Sequence, residues 1–120
     1  MLEKVNIIEK LALFSDHWNP RIVGELNGQY VKLVKFKGDF VWHKHLDEDE
    51  MFYVLKGSFK LQFRDRTVEL FENEFFIVPK GVEHRSVAAK EVSVMIFEPV
   101  STVRTGDADA TTGADNLEKI

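Results

Sequence analysis

The order of apolar and polar positions divides the chain into three stretches. Near the N-terminus, Val5, Ile8, Leu11 and Ala12 recur close to the helical period, which predicts a short helix over residues 2–14. The segment Phe14-Ser15-Asp16-His17-Trp18-Asn19-Pro20 ends it, with Pro20 at the boundary. From there to about residue 98 the period is that of strands. Asn27-Gly28 between two apolar-rich runs is a hairpin signal. The next run puts Val31, Leu33 and Lys35 on one face and Tyr30, Lys32, Val34 and Phe36 on the other. Lys37-Gly38-Asp39 reads as a turn. Strands are then predicted at 40–45, 50–55, 58–63, 67–70, 75–78, 84–88 and 91–97, with Ala89-Lys90 separating the last two. Many short strands at even spacing suggest a sandwich or small barrel. The third stretch, 101–113, is rich in Thr, Gly, Asp and Ala and cannot supply a core; it is an extended arm or a frayed end. Residues 115–120 could form one helical turn. The expected division is a helix and linker at 1–19, a barrel at 20–99 and a C-terminal arm at 100–120.

Composition narrows the class. A chain of 120 residues, 44% hydrophobic, with ten Phe, two Trp and two Tyr, can bury one core. No apolar run reaches the roughly 18 residues of a membrane span. The first residues carry acid early and lack a signal-peptide core, so a cytoplasmic location is expected. The net charge of -4 argues against a nucleic-acid surface. The absence of Cys excludes disulfides, thiolate ligands and Cys nucleophiles.

One constellation carries chemistry. His43 and His45 are two apart on a predicted strand, which puts both imidazoles on one face. Glu50 follows an acidic bend, Asp47-Glu48-Asp49, which reads as solvated loop. His84 comes after Pro79-Lys80-Gly81-Val82-Glu83. Three His and one carboxylate make a mixed nitrogen and oxygen set suited to Fe, Mn, Ni, Cu or Zn as a divalent ion. Four such ligands on an octahedral ion leave two positions for water, dioxygen or a chelating substrate. Taken singly, each His reads more simply as a surface or core residue; the joint spacing is what singles them out. His17 lies outside the pattern and reads as a helix-exit or core residue.

These residues resemble the cupins. The first motif of that family is Gly, five residues, His-x-His, three or four residues, Glu, six residues, Gly. Here His43-Lys44-His45, Glu50 and Gly57 fit it, with Gly38 one residue too close to His43. The second motif is Gly, five residues, Pro-x-Gly, two residues, His, three residues, Asn. Pro79, Gly81 and His84 match its centre, while Asn73 and Ala88 stand at its Gly and Asn positions. The resemblance covers about residues 28–99. It implies an all-β, double-stranded β-helix (jelly-roll) barrel with a short N-terminal helix and an extended C-terminal tail. It also implies one divalent transition metal per chain, held by His43, His45, Glu50 and His84. The chain end, 98–107, is similar to stand-alone cupins that carry a mannose-6-phosphate isomerase-like label, a fold-level likeness that is a weak guide to chemistry.

Around that site, Phe52 and Val54 share the parity of Glu50, and Phe59, Leu61 and Phe63 alternate on one face. Phe52, Val54, Phe59, Leu61 and Met95 are candidate pocket residues, with plain core packing as the simpler reading. Lys32, Lys35 and Gln62 are further candidates to reach the cavity. Trp42 and Arg85 should point away from the metal, and Arg64 and Arg66 flank a hairpin tip. Gly57 and Gly81, each after a Lys at a strand end, and Asn73 suit positive φ. Two functions compete: a metal-dependent enzyme of dioxygenase or isomerase type on a small molecule, and a non-catalytic module that binds or senses a small ligand through the same metal. A structural role with a vestigial site is the third. For isomerisation, no dedicated base outside the ligand set is evident; Tyr30, Tyr53, Glu69 and Glu83 are candidates. A thiol dioxygenase with a Cys–Tyr link is disfavoured by the lack of Cys. A C2 homodimer is expected, with the segment 21–26 and the tail as exchangeable strands and Trp18, Trp42, Phe75 or Phe76 at the contact.

Overall fold

The computed structural model describes residues 2–108 and 116–120. Helix α1 (Ile7–Leu11) is one short turn, opened by Asn6, whose side chain accepts from the Glu9 N–H at 3.0 Å. It is far shorter than the expected 2–14. None of its residues is buried, so no apolar face packs to extend it, and a helix this short has little stability of its own.

The rest is antiparallel β. Strands β1 (Arg21–Leu26) and β2 (Gln29–Asp39) form a hairpin whose turn residues, Asn27 and Gly28, have φ of 51° and 76°. That pair of left-handed residues is what a tight turn matched to strand twist requires. Then come β3 (Glu50–Lys56), β4 (Phe59–Phe63), β5 (Thr67–Leu70), β6 (Phe75–Val78) and β7 (His84–Pro99). The main path runs β1-β2-β7-β3-β6, and β4 joins β5 to the first part of β7. The result is a jelly-roll barrel.

Strand β7 organises it. Residues 84–87 pair with β4, and residues 92–99 pair with β2 while 93–97 pair with β3. The expected break at Ala89-Lys90 is not a chain reversal. Residues 89–91 are exposed and pair with neither neighbour, and they carry one strand across a corner of the barrel. The expected turn at Lys37-Gly38-Asp39 is corrected in the same place: β2 runs through it, with a register shift between Phe36 and Gly38 opposite that corner.

Inward residues of facing strands make the core. Val34, Val54, Leu61, Val92 and Val94 are fully buried, and Phe36 meets Phe59 edge-on at 5.3 Å. Asn73, Gly57 and Gly81 all have positive φ, as their positions required. At Gly57 a side chain would also press on the Glu91 carbonyl.

The arm lies on the barrel. Lys44 N–H donates to Asp107 Oδ1 at 2.9 Å and the Asp107 N–H donates to the Lys44 carbonyl at 3.1 Å. Residues 116–120 are extended, not a helical turn, with Lys119 bridging Ile22 on β1. The remainder of both tail expectations, 109–113 and Asp115, lies outside the described residues. Among the described residues no helix is long and apolar enough to cross a membrane.

Candidate metal centre

The expected strand at 40–45 is reduced to a single bridge, His43 opposite His84. Two backbone hydrogen bonds of 3.0 and 2.9 Å join them. Directly opposed residues on an antiparallel pair present their side chains to the same face, and these imidazoles lie 4.4 Å apart between centroids. The His45 carbonyl accepts from the Gly81 N–H at 2.7 Å, which ties the His-x-His segment to the Pro79-Lys80-Gly81 turn. Glu50 opens β3. Its Oε1 stands 3.2 Å from His45 Nε2 and 3.4 Å from His84 Nε2. One donor atom from each of the four residues lies within 4.8 Å of all the others, and all four residues are buried.

Hydrogen bonding sets the tautomers. His43 Nδ1 is 2.9 Å from the Val41 carbonyl, and His84 Nδ1 is 2.9 Å from the Val82 carbonyl. A carbonyl only accepts, so each Nδ1 carries the proton and each Nε2 lone pair is left for the centre. Meanwhile His45 Nδ1 and Nε2, Glu50 Oε1 and His84 Nε2 are buried without a hydrogen-bond partner. Buried polar atoms are normally satisfied, and a cation between them would satisfy this set. Burial first, and then the charge of His84, push His43 down to about 4, so its ring is neutral near neutral pH. Burial raises Glu50, but the His45 and His84 rings beside it outweigh that and hold the carboxyl below the usual carboxylate range. Neutral imidazoles and an ionised carboxylate are the forms that ligate divalent transition ions.

A cavity opens from His43 and Glu50 into the barrel, walled by Trp18, Val34, Phe36, Phe40, Phe52 and Ile96, with Lys32, Ser86, Glu98 and Arg104 as its polar members. Trp18 adopts φ 62°, rare for a bulky residue. Its indole stacks on Phe36 at 4.5 Å and Phe40 at 4.8 Å and donates to the Lys37 carbonyl, contacts that hold the ring over the opening.

Of the five pocket residues read from parity, only Phe52 lines this cavity. Val54, Phe59 and Leu61 belong to the packed core. Met95 falls on the other face of β7, between Leu33 and Tyr53, because Val94 and Ile96 take the inward positions. Lys32 does reach the cavity. Lys35 instead donates to the Leu11 and Phe14 carbonyls, and Gln62 accepts from Arg85 outside. The candidate bases fail on position: none of Tyr30, Tyr53, Glu69 and Glu83 lines the cavity. Tyr53 bonds Asn73 and Glu83 bonds Arg64. Outside the ligand set, the carboxyl that lines the cavity is Glu98, which no sequence motif marks. Trp18 is a wall of the site, Trp42 lies under Arg64 and Arg85, and Phe76 packs on the core, so of the four aromatics proposed for a contact only Phe75 is exposed. His17 pairs with Glu91 at the surface.

A jelly-roll barrel with three His and a Glu converging inside one end defines the class, and the comparisons agree. The chain belongs to the cupins: residues 31–100 match the Cupin domain family, Cupin_2. It is 40% identical over 79 residues to the uncharacterized protein YdbB of Bacillus subtilis (strain 168), a match covering 65% of this chain and 64% of that protein, so it spans less than two thirds of that relative's length. A cupin-2 domain containing protein from Shewanella frigidimarina NCIMB 400 is 45% identical, with a TM-score of 0.78, covering 79% of this chain and 93% of that one. Protein NMB1881 from Neisseria meningitidis is 31% identical, with a TM-score of 0.75, covering 81% and 99%.

Proposed function

We infer that the chain binds one divalent transition metal through His43, His45, Glu50 and His84 and acts as a metal-dependent enzyme on a small molecule. The observation that carries this is the convergence of four buried donors, with those of His45, Glu50 and His84 left without a hydrogen-bond partner. When bound, such an ion supplies Lewis acidity and, if redox-active, dioxygen chemistry. The chain's residues do the rest. The Val41 and Val82 carbonyls fix the His43 and His84 rings. The aromatic wall keeps bulk water from the site and shapes the apolar side of the ligand. Oxygen uptake on substrate addition marks the dioxygenase type, and solvent deuterium incorporation without oxygen uptake marks the isomerase type.

Metal content of untagged protein by plasma mass spectrometry, beside a His84→Ala control, tests the reading. Near-stoichiometric metal that is lost in the variant supports it. No metal, and no uptake on titration, overturns it. A second reading, ligand binding without turnover, is favoured by the absence from the cavity of Tyr30, Tyr53, Glu69 and Glu83; tight binding with no product in either assay would establish it. The expected homodimer is supported by Phe71, Phe75 and Ile77, each more than half exposed. Sedimentation at 13.9 kDa at micromolar concentration would overturn that part alone.

A further inference from the structure

The cavity holds a second pair of charges that metal ligation does not use. Lys32 on β2 and Glu98 on β7 are each 2% exposed, and β2 and β7 pair so that Lys32 faces Ile96 and Tyr30 faces Glu98. The two charged residues are thus diagonal neighbours on one face. Lys32 Nζ stands 3.6 Å from Glu98 Oε1, beyond hydrogen-bond reach, and Glu98 Oε2 has no hydrogen-bond partner. A buried ion pair recovers its desolvation cost only when the contact is close and the remaining protons and lone pairs are satisfied. This one meets neither condition. It stands open in the wall of the cavity that also reaches Glu50 and His43.

The sign of the charge follows. A divalent ion at the four-donor centre, together with Lys32 and Arg104, outweighs the carboxylates of Glu50 and Glu98 whichever charge state Glu98 holds. The interior then favours an anion. Apart from Ser86 and Arg104, the remaining wall is apolar and largely aromatic, set by Trp18, Phe36, Phe40 and Phe52. The centre of a water molecule has about 30 Å³ to move in, which sets the ligand as small.

We propose that the cavity takes a small carboxylate bearing a second oxygen function, one end on the metal and the acidic end on Lys32. Lys32 is the residue that selects acidic ligands, and Glu98 is a positioning residue that keeps its ammonium turned into the cavity. This rests on the metal reading above.

The test uses full-length protein loaded with Co(II), with loading verified by plasma mass spectrometry. Two probes are titrated, followed by the visible spectrum of the ion and by calorimetry: malonate, a short dicarboxylate, and imidazole, an uncharged ligand that needs only the metal. Malonate is expected to bind the parent protein. Lys32→Met should weaken it about tenfold or more, the scale of one lost charge-assisted contact, and leave imidazole affinity within about twofold. Lys32→Met leaves Glu98 without its cation; if that variant fails to fold, Lys32→Met/Glu98→Gln, which removes both charges, carries the same expectation. Equal malonate affinity in parent and variant, or no malonate binding to the loaded parent, overturns the proposal while metal binding stands. Failure of the parent to take up Co(II) overturns both.

Discussion

The cluster of His43, His45, Glu50 and His84 and the pair of Lys32 and Glu98 share one cavity, yet they are built in opposite ways. In the first, backbone carbonyls already occupy the outer nitrogens of two rings, and the atoms left over point at one another. In the second, opposite charges face each other and stop short of contact. The first arrangement is incomplete without a cation. The second is tolerable alone and improves with an anion. A buried polar group therefore reports on its absent partner by the sign of what is unsatisfied.

The difference predicts a graded series of effects. The largest is at the donor set. Glu50→Gln keeps the shape of the side chain but removes its charge, and should weaken metal retention by more than the roughly 100-fold seen for outer-shell changes, read by competition with a chelator. Next is acid sensitivity of the metal-free protein. His43 falls from 6.5 to about 4 on folding, so between those values the unfolded chain binds a proton that the folded chain refuses. Stability should therefore decline as pH drops through that window, by up to about 3 kcal/mol from this group, in denaturant titrations at several pH values. The decline should vanish in His43→Gln.

Effects at the pair should be smaller. Burial and the nearby Glu50 push the Glu98 carboxyl well above its ordinary range, with Lys32 opposing. Glu98 can thus take a proton when its partner is removed. Lys32→Met should cost about 1–3 kcal/mol, the price of an unsatisfied group and not of a stranded ion. The smallest effect on the metal is that of Glu98→Gln, which leaves the Lys32 ammonium buried without its carboxylate and so costs stability, but should leave metal content unchanged. A large loss of metal in Glu98→Gln would show that the two clusters are one.

The clusters also differ in how far sequence alone exposes them. His43, His45, Glu50 and His84 are legible because their spacing relative to Gly57, Pro79 and Gly81 is unusual in combination. Lys32 was visible only as a candidate and Glu98 not at all, since a lone Lys or Glu in an alternating strand looks like a solvent-facing position. Their burial depends on how the sheet closes over that face. Strands β5 and β6 were read with their true limits because polar turns bound them tightly. The corner of β7 was not, because Ala89, Lys90 and Glu91 are polar and exposed in a strand just as they would be in a turn. Met95 was misplaced for a related reason: parity on β7 can be counted only once the strand is known to run through that corner.

That unbroken β7 also bears on how the chain reaches its fold. It is paired with β2, β3 and β4, so the sheet cannot be completed before this late segment is in place. Its partners are remote in sequence, and contacts of that kind fold on slow timescales, of order milliseconds to seconds. His84 is its first residue and meets His43 only when the strand docks. The ion's four donors are therefore complete only once β7 has docked, and metal capture would serve as a kinetic signal of that docking.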